Sequence, residues 1–149
     1  MIIKSLDHLN LISLKIIKKI SQQDCIMLLG EIGVGKTTLT RAIINNLQIQ
    51  NKQKETEVLS PTFNIVYDYE VSTLKIMHYD LYRLKNDKEV QQLGIFDQES
   101  YNIKIIEWAE IIKNKPNNRL EVYLTHKNTE DLRNIEFKGF GKWEDFNAD

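Results

Sequence analysis

Apolar residues recur in three rhythms along this chain, and each rhythm predicts a different element. Leu11, Leu14, Ile17 and Ile20 repeat at three-residue steps, the spacing of one helix face. Ser5 and Asp7 supply N-caps ahead of them, so an amphipathic helix is predicted over 7–20. Lys15, Lys18 and Lys19 fall around its other side as a solvated face. Cys25-Ile26-Met27-Leu28-Leu29 is instead a continuous apolar run, the mark of a strand covered on both faces. It leads into a glycine-rich stretch, a helical segment from Lys36 to Leu47, and a polar loop from Gln48 to Glu57.

The third rhythm is alternation. Phe63, Ile65, Tyr67 and Tyr69 alternate with other residues, as do Leu74, Ile76 and His78, and Val71-Ser72-Thr73 lies between the two runs. This pattern predicts a hairpin or two neighbouring strands. Ile103, Ile105 and Ile106 form a second buried-strand pattern ending at Glu107, and residues 109–114 read as a short helix stopped near Pro116. Leu120–Leu124 and Ile135–Phe137 read as late strands. The stretch 139–149 has weak patterning and reads as a loosely packed tail, with Trp143 pinning it to the surface.

Composition narrows the choices. The 149 residues suit one ordinary domain. At 42% hydrophobic and 28% charged, the chain is not of a disordered class. A net charge of -1 leaves no basic excess for gripping nucleic acid unaided. Cys25 is the one cysteine, which excludes an intramolecular disulfide and a thiolate metal cage; it reads as a small buried apolar residue. The first residues lack the pattern of a signal peptide, and the apolar runs fall far short of the ~20 residues that cross a bilayer. The expectation is a soluble cytoplasmic protein with no membrane association.

The candidate chemistry centres on Gly30, Gly35, Lys36 and Thr37, which satisfy G-x-x-x-x-G-K-[ST] between a predicted strand and a predicted helix. In such a loop, successive N–H groups point inward at phosphate oxygens, and the helix N-terminus adds partial positive charge. The candidate nucleotide cradle is Glu31, Ile32, Gly33, Val34 and Gly35 with Lys36, Thr37 and Thr38. Lys36 would bridge the β- and γ-phosphates, and the Thr37 hydroxyl would ligate Mg²⁺. Glu107 and Asp80 each end a predicted strand, as an acid near the metal should. Ser60-Pro61-Thr62-Phe63 occupies the place of a switch segment. His78 and Asp80 share a strand face but lack the further His/Cys cluster of a metal cage. Asn114-Lys115-Pro116-Asn117 resembles the guanine-reading Asn-Lys-x-Asp, with Asn117 in place of the acid, which favours ATP over GTP.

Taken together, Gly30–Thr38, Ser60-Pro61-Thr62-Phe63, His78-Tyr79-Asp80-Leu81-Tyr82-Arg83 and Ile106-Glu107-Trp108 resemble, in order and spacing, the TsaE family of bacterial P-loop ATPases. The resemblance covers about residues 5–110, and Arg133 beyond them. It implies a part in making threonylcarbamoyladenosine in tRNA, together with a TsaD–TsaB-type complex through which the protein meets tRNA indirectly. It also implies that Lys36 and Thr37 hold phosphate and Mg²⁺, that Glu107 is the metal-associated glutamate, and that Asp80 is the Walker-B-like aspartate. Ser60 and Thr62 match the switch segment, and Trp108 the tryptophan near the nucleotide. Glu31 stands where the family often has Asp, and Ala109 where it often has Pro.

The resulting expectation is a single α/β P-loop NTPase domain over 1–149, a mixed sheet with a parallel core and an antiparallel hairpin, with helices on both faces. Its activity would be Mg²⁺-assisted ATP hydrolysis, with Lys36, Glu107 and Asp80 as the catalytic set. The rival readings are a small-metabolite kinase, for which Arg41, Arg83, Arg119 and Arg133 are few, and an adaptor that senses nucleotide without hydrolysing it.

Overall fold

The computed structural model describes residues 1–97, 101–127 and 132–149. Along them lie β1 (Ile2–Ile3), α1 (Leu6–Lys19), β2 (Cys25–Leu29), α2 (Lys36–Gln50), β3 (Val66–Val71), β4 (Leu74–Asp80), α3 (Asp87–Gln92), β5 (Ile103–Glu107), β6 (Arg119–His126) and β7 (Arg133–Phe140). Short 3-10 turns follow at Ala109–Ile111 and Gly141–Trp143. The strands form one sheet in the order β1-β7-β6-β2-β5-β4-β3. β6, β2, β5 and β4 run parallel, and antiparallel pairs close the sheet at both sides.

The continuous apolar runs became the centre. Every residue of β2 and of β5 is buried, because each strand has a neighbour on either side and a packed layer on either face. On one face α1 and α2 cover Ile26, Leu28, Ile76, Ile103 and Ile105. On the other, Val90 of α3, Ile95, Ala109 and Ile112 cover Met27, Leu29 and Ile106. Helices thus lie on both faces, as expected, but the two long ones share a face. The alternating segments formed the β3–β4 hairpin, with Val71 opposite Leu74 across a two-residue turn. Ser72 takes positive φ there, and its N–H donates to Gln53 Oε1 at 2.8 Å.

Several boundaries moved for identifiable reasons. α1 starts one residue earlier than expected, with the Ser5 hydroxyl accepting from His8 N–H. α2 runs on to Gln50 because buried Gln48 finds partners for its amide in the Thr56 hydroxyl and N–H. The helix expected over 109–114 shrinks to a 3-10 turn, launched by Trp108 in the left-handed conformation. β1 and α3 are additional elements. α3 is almost wholly polar, and a cap defines it: Asn86 accepts from Glu89 N–H at 3.0 Å, and Glu89 accepts from Lys85 N–H at 2.6 Å.

The loosely packed tail is corrected outright. β7 extends to Phe140, and Trp143, expected to pin the segment, does so from full burial. Its indole N–H donates to Asp24 Oδ1 at 3.3 Å, and its ring meets Phe146 edge-on, which in turn meets Phe137. Gly139 makes this possible: a Cβ there would sit 1.7 Å from the Trp143 carbonyl oxygen. Ala148 is also buried, and its carbonyl accepts from Lys15 Nζ at 2.8 Å. Truncating Trp143 to Ala should therefore destabilise the protein by about 3–5 kcal/mol, as for other buried aromatics. Urea unfolding followed by far-UV circular dichroism measures this, and a loss below about 1 kcal/mol would return the segment to the periphery.

Candidate functional site

Strand register assembles the site. At the carboxyl edge of the parallel strands, Leu28 of β2 stands opposite Glu107 of β5, which stands opposite Asp80 of β4. One residue beyond β2, the chain turns through Gly30–Gly35 and enters α2 at Lys36. The loop and both carboxylates are thereby brought to one edge, where open α/β sheets bind ligands. Gly30 is obligatory at the turn: its φ is 139°, and a Cβ would lie 2.2 Å from the Leu124 carbonyl oxygen. Its N–H donates to Glu110 Oε1 at 2.8 Å.

Lys36 does not face solvent. It is 5% exposed, and its Nζ donates to the carbonyls of Gly30 and Glu31 and sits 3.9 Å above the Trp108 ring. Burial pushes its pKa below the usual lysine value, opposed by the nearby charges of Glu107, Glu110, Asp80 and Glu31. The indole contact helps hold the cation there, since an aromatic face attracts positive charge. Trp108 itself has φ 59° and ψ 43°, a backbone state costing a non-glycine residue about 1–3 kcal/mol and concentrated at functional sites. Its ring also meets Tyr82 at 4.8 Å between centroids.

The two carboxylates are engaged differently. The Thr37 hydroxyl lies 2.9 and 3.0 Å from the two oxygens of Glu107, and His78 Nε2 lies 2.7 Å from Oε1. Asp80 accepts at Oδ2 from Ser60 at 2.9 Å and Thr62 at 3.1 Å, and at Oδ1 from Tyr82 N–H at 2.9 Å. Asp80 thus organises the segment carrying Ser60 and Thr62, while Glu107 meets the hydroxyl that opens α2.

A cleft of about 270 Å³ joins these groups. Ile32, Gly33, Gly35, Lys36, Thr37 and Thr38 line it from the loop and α2, Ser60 and Thr62 from the segment before β3, and Asp80, Glu107 and Trp108 from the ends of β4 and β5. Of the expected cradle, Glu31 contributes its carbonyl to Lys36, and the Val34 side chain is buried in the core. A second cleft of about 310 Å³ shares Gly33, Gly35 and Thr38, with apolar walls from Leu6, Leu9, Val34 and Leu124 and with Arg133 at its margin. Among the described residues no three His, Cys, Asp or Glu side chains gather as a metal cage. The hydroxyl–carboxylate pair fits a Mg²⁺ that takes most of its oxygens from phosphate and water, the usual habit of that ion.

Asn114–Asn117 lies elsewhere. The next strand begins at Arg119 opposite Cys25, at the other edge of the sheet, and Lys115 there pairs with Glu121 at 3.0 Å. Three residues of the site went unassigned in the sequence: His78, Tyr82 and Glu110. Tyr82 and Glu110 follow Asp80 and Glu107 by two and three positions, so both occupy the loops leaving the functional edge. His78 could be found only by knowing that β4 and β5 are neighbours.

The family model described as threonylcarbamoyl adenosine biosynthesis protein TsaE matches residues 3–135. A Bacillus subtilis protein named tRNA threonylcarbamoyladenosine biosynthesis protein TsaE is 32% identical over 120 residues, covering 79% of this chain and 71% of that one. The protein of the same name from Rickettsia felis is 41% identical over 96 residues, covering 64% and 54%, so the match spans about half of that relative's length. A crystal structure of Bacillus subtilis YdiB shares the fold, with a TM-score of 0.70 at 22% identity over 95% of this chain and 84% of that one. With most of its length inside that family model, this chain belongs to the TsaE family.

Proposed function

We propose that this chain binds ATP with Mg²⁺ and hydrolyses it slowly, supporting threonylcarbamoyladenosine modification of tRNA in the cytoplasm. It would do so with a TsaD–TsaB-type complex, meeting tRNA only through those partners. The single observation that carries the nucleotide reading is the convergence of Lys36, Thr37 and Glu107 at one mouth of the sheet. The pathway reading rests on family membership.

Each residue then has a role that follows from its present contacts. Lys36 leaves the carbonyls of Gly30 and Glu31 to neutralise phosphate oxygens, which are stronger acceptors because they are charged. Thr37, through a lone pair of its hydroxyl oxygen, and Glu107 would together hold the Mg²⁺, whose chemistry there would be neutralisation of phosphate charge. Ser60 and Thr62, held by Asp80, are placed to meet the terminal phosphate. The neighbouring apolar cleft accepts the base, since it shares the loop backbone and is walled by Leu6 and Leu9. Four carboxylates surround the single lysine, so a triphosphate without a cation would meet more repulsion than attraction.

Slow turnover follows from what the cleft lacks. None of Arg41, Arg83, Arg119 and Arg133 lines it. Arg41 is committed to the Val58 carbonyl, Arg119 to Glu121, and Arg83 lies over Phe63. A partner could supply the missing charge, and the exposed Ile32, Phe63 and Tyr82 around the mouth offer apolar surface for one.

Three measurements test this reading. Lys36→Ala should lower ATP turnover by at least about 100-fold, as loss of a charge-stabilising group does. Its melting temperature should move by no more than about 4 °C, because the substitution also removes a buried charge. A Lys36→Ala protein with full activity would end the P-loop reading. For the metal, Glu107→Gln should raise the Mg²⁺ concentration for half-maximal nucleotide binding by about 10–100-fold, while Asp80→Asn changes it less than about threefold. The reverse order would exchange the two roles. For the partners, adding the TsaD–TsaB pair should raise turnover by at least about tenfold, a floor well below the roughly 10³–10⁵ that a supplied arginine can give. Unchanged turnover, with no pull-down in any nucleotide state, would detach the chain from that complex.

A further inference from the structure

His78 is fully buried in the middle of β4, on the α2 side of the sheet between Ile76 and Asp80. Its Nε2 lies 2.7 Å from Glu107 Oε1, the distance of a charge-assisted hydrogen bond. A carboxylate only accepts, so the ring proton is on Nε2. The other nitrogen, Nδ1, is buried and has no hydrogen-bond partner among the described residues. As packing alone, this residue is a poor choice, because an aliphatic side chain would fill the same space without an orphaned acceptor. Neither ring nitrogen reaches the cleft, whose walls do not include His78. Whatever His78 does, it does through Glu107.

Among the described residues the Glu107 carboxylate has two partners, Thr37 and His78. They differ in one respect. The Thr37 hydroxyl is the group a nucleotide-bound cation would claim, whereas His78 is sealed in the sheet and stays with Glu107 whatever the cleft contains. We infer that His78 is a positioning residue whose Nε2–H fixes the Glu107 carboxylate beside the Thr37 hydroxyl that would meet the cation. This rests on the nucleotide reading above. Partners that orient a metal-associated carboxylate commonly govern metal affinity or activity by 10–100-fold.

The test uses the full chain with His78→Leu, which fills the space without a donor, and His78→Gln, whose amide can replace Nε2–H. Binding of a non-hydrolysable ATP analogue is measured by calorimetry with and without Mg²⁺, beside ATP turnover and thermal melting. In His78→Leu, metal-free affinity should stay within about twofold of the original, while the enhancement by Mg²⁺ falls about 10–100-fold and kcat falls more than KM rises. His78→Gln should recover all but about threefold of that loss. Nitrogen-15 NMR of the unaltered protein should show the His78 proton on Nε2, a readout that stands even if the leucine variant does not fold. A proton on Nδ1, an undiminished Mg²⁺ enhancement in His78→Leu, or equal impairment of both variants would overturn the inference. If the unaltered protein shows no Mg²⁺-dependent nucleotide binding, the nucleotide reading falls with it; an intact response there with an unaffected His78→Leu overturns this inference alone.

Discussion

A carboxylate at 2% exposure cannot stand in a protein interior without donors, and Glu107 is such a group. Its donors come from two other elements, Thr37 at the start of α2 and His78 within β4. Satisfying that one side chain therefore fixes three pieces of backbone relative to one another. The β4–β5 register must bring His78 and Glu107 to the same face, and α2 must begin where its first turn overhangs that face. A slip of one residue in β5 would turn Glu107 to the opposite side and leave both donors without it. The glycine-rich loop has little freedom left: it must join β2 to α2 over this point, and it passes so close to Leu124 that only glycine fits at position 30.

The same region stores its cation in a way that suits exchange. Lys36 is bound to neutral carbonyls and an indole face rather than to any of the four acids that surround it. Neutral acceptors are weaker partners than charged oxygens, so an incoming anion competes with them on favourable terms. A direct ion pair with Glu107 would have been harder to displace. The left-handed backbone at Trp108 places the indole beneath the lysine, which ties the strain at that residue to the position of the charge.

What could be read from the sequence follows from how local each constraint is. β2 was legible residue for residue because its five buried positions are continuously apolar, and β5 was legible from Ile103, Ile105 and Ile106 although the buried Lys104 interrupts the run. The loop was legible because its glycines, lysine and threonine fall at a fixed spacing between a strand and a helix. Glu107 stood out as a charge at the end of an apolar run. Trp143 was legible as the anchor of its segment, but not its full burial or its partner Asp24, 119 positions away. His78 was weighed as a metal ligand for want of the strand order that puts it beside Glu107. The state of Lys36 was hidden too, because side-chain reach onto Gly30 and Glu31 leaves no trace in residue pattern. α3 has only Val90 buried and is too short for periodicity to mark it.

The two neighbouring carboxylates finally divide the site between interior and surface. Asp80 and Glu107 are register partners on adjacent strands, yet they share no donor. Glu107 is tied inward, to His78 and to the hydroxyl that opens α2. Asp80 is tied outward, to Ser60 and Thr62, whose segment continues into Phe63 at 84% exposure and then to Ile65, whose carbonyl accepts from Asp80 N–H. A ligand oxygen that draws the Ser60 or Thr62 hydroxyl must take it from Asp80, which loosens the anchor of the segment bearing Phe63. The converse holds by thermodynamic linkage: anything that binds Phe63 in one arrangement of that segment changes the affinity of the cleft by the same factor. Glu107 has no comparable route to the surface. The geometry thus separates a carboxylate tied to the interior of the sheet from one through which the cleft and its rim can influence each other.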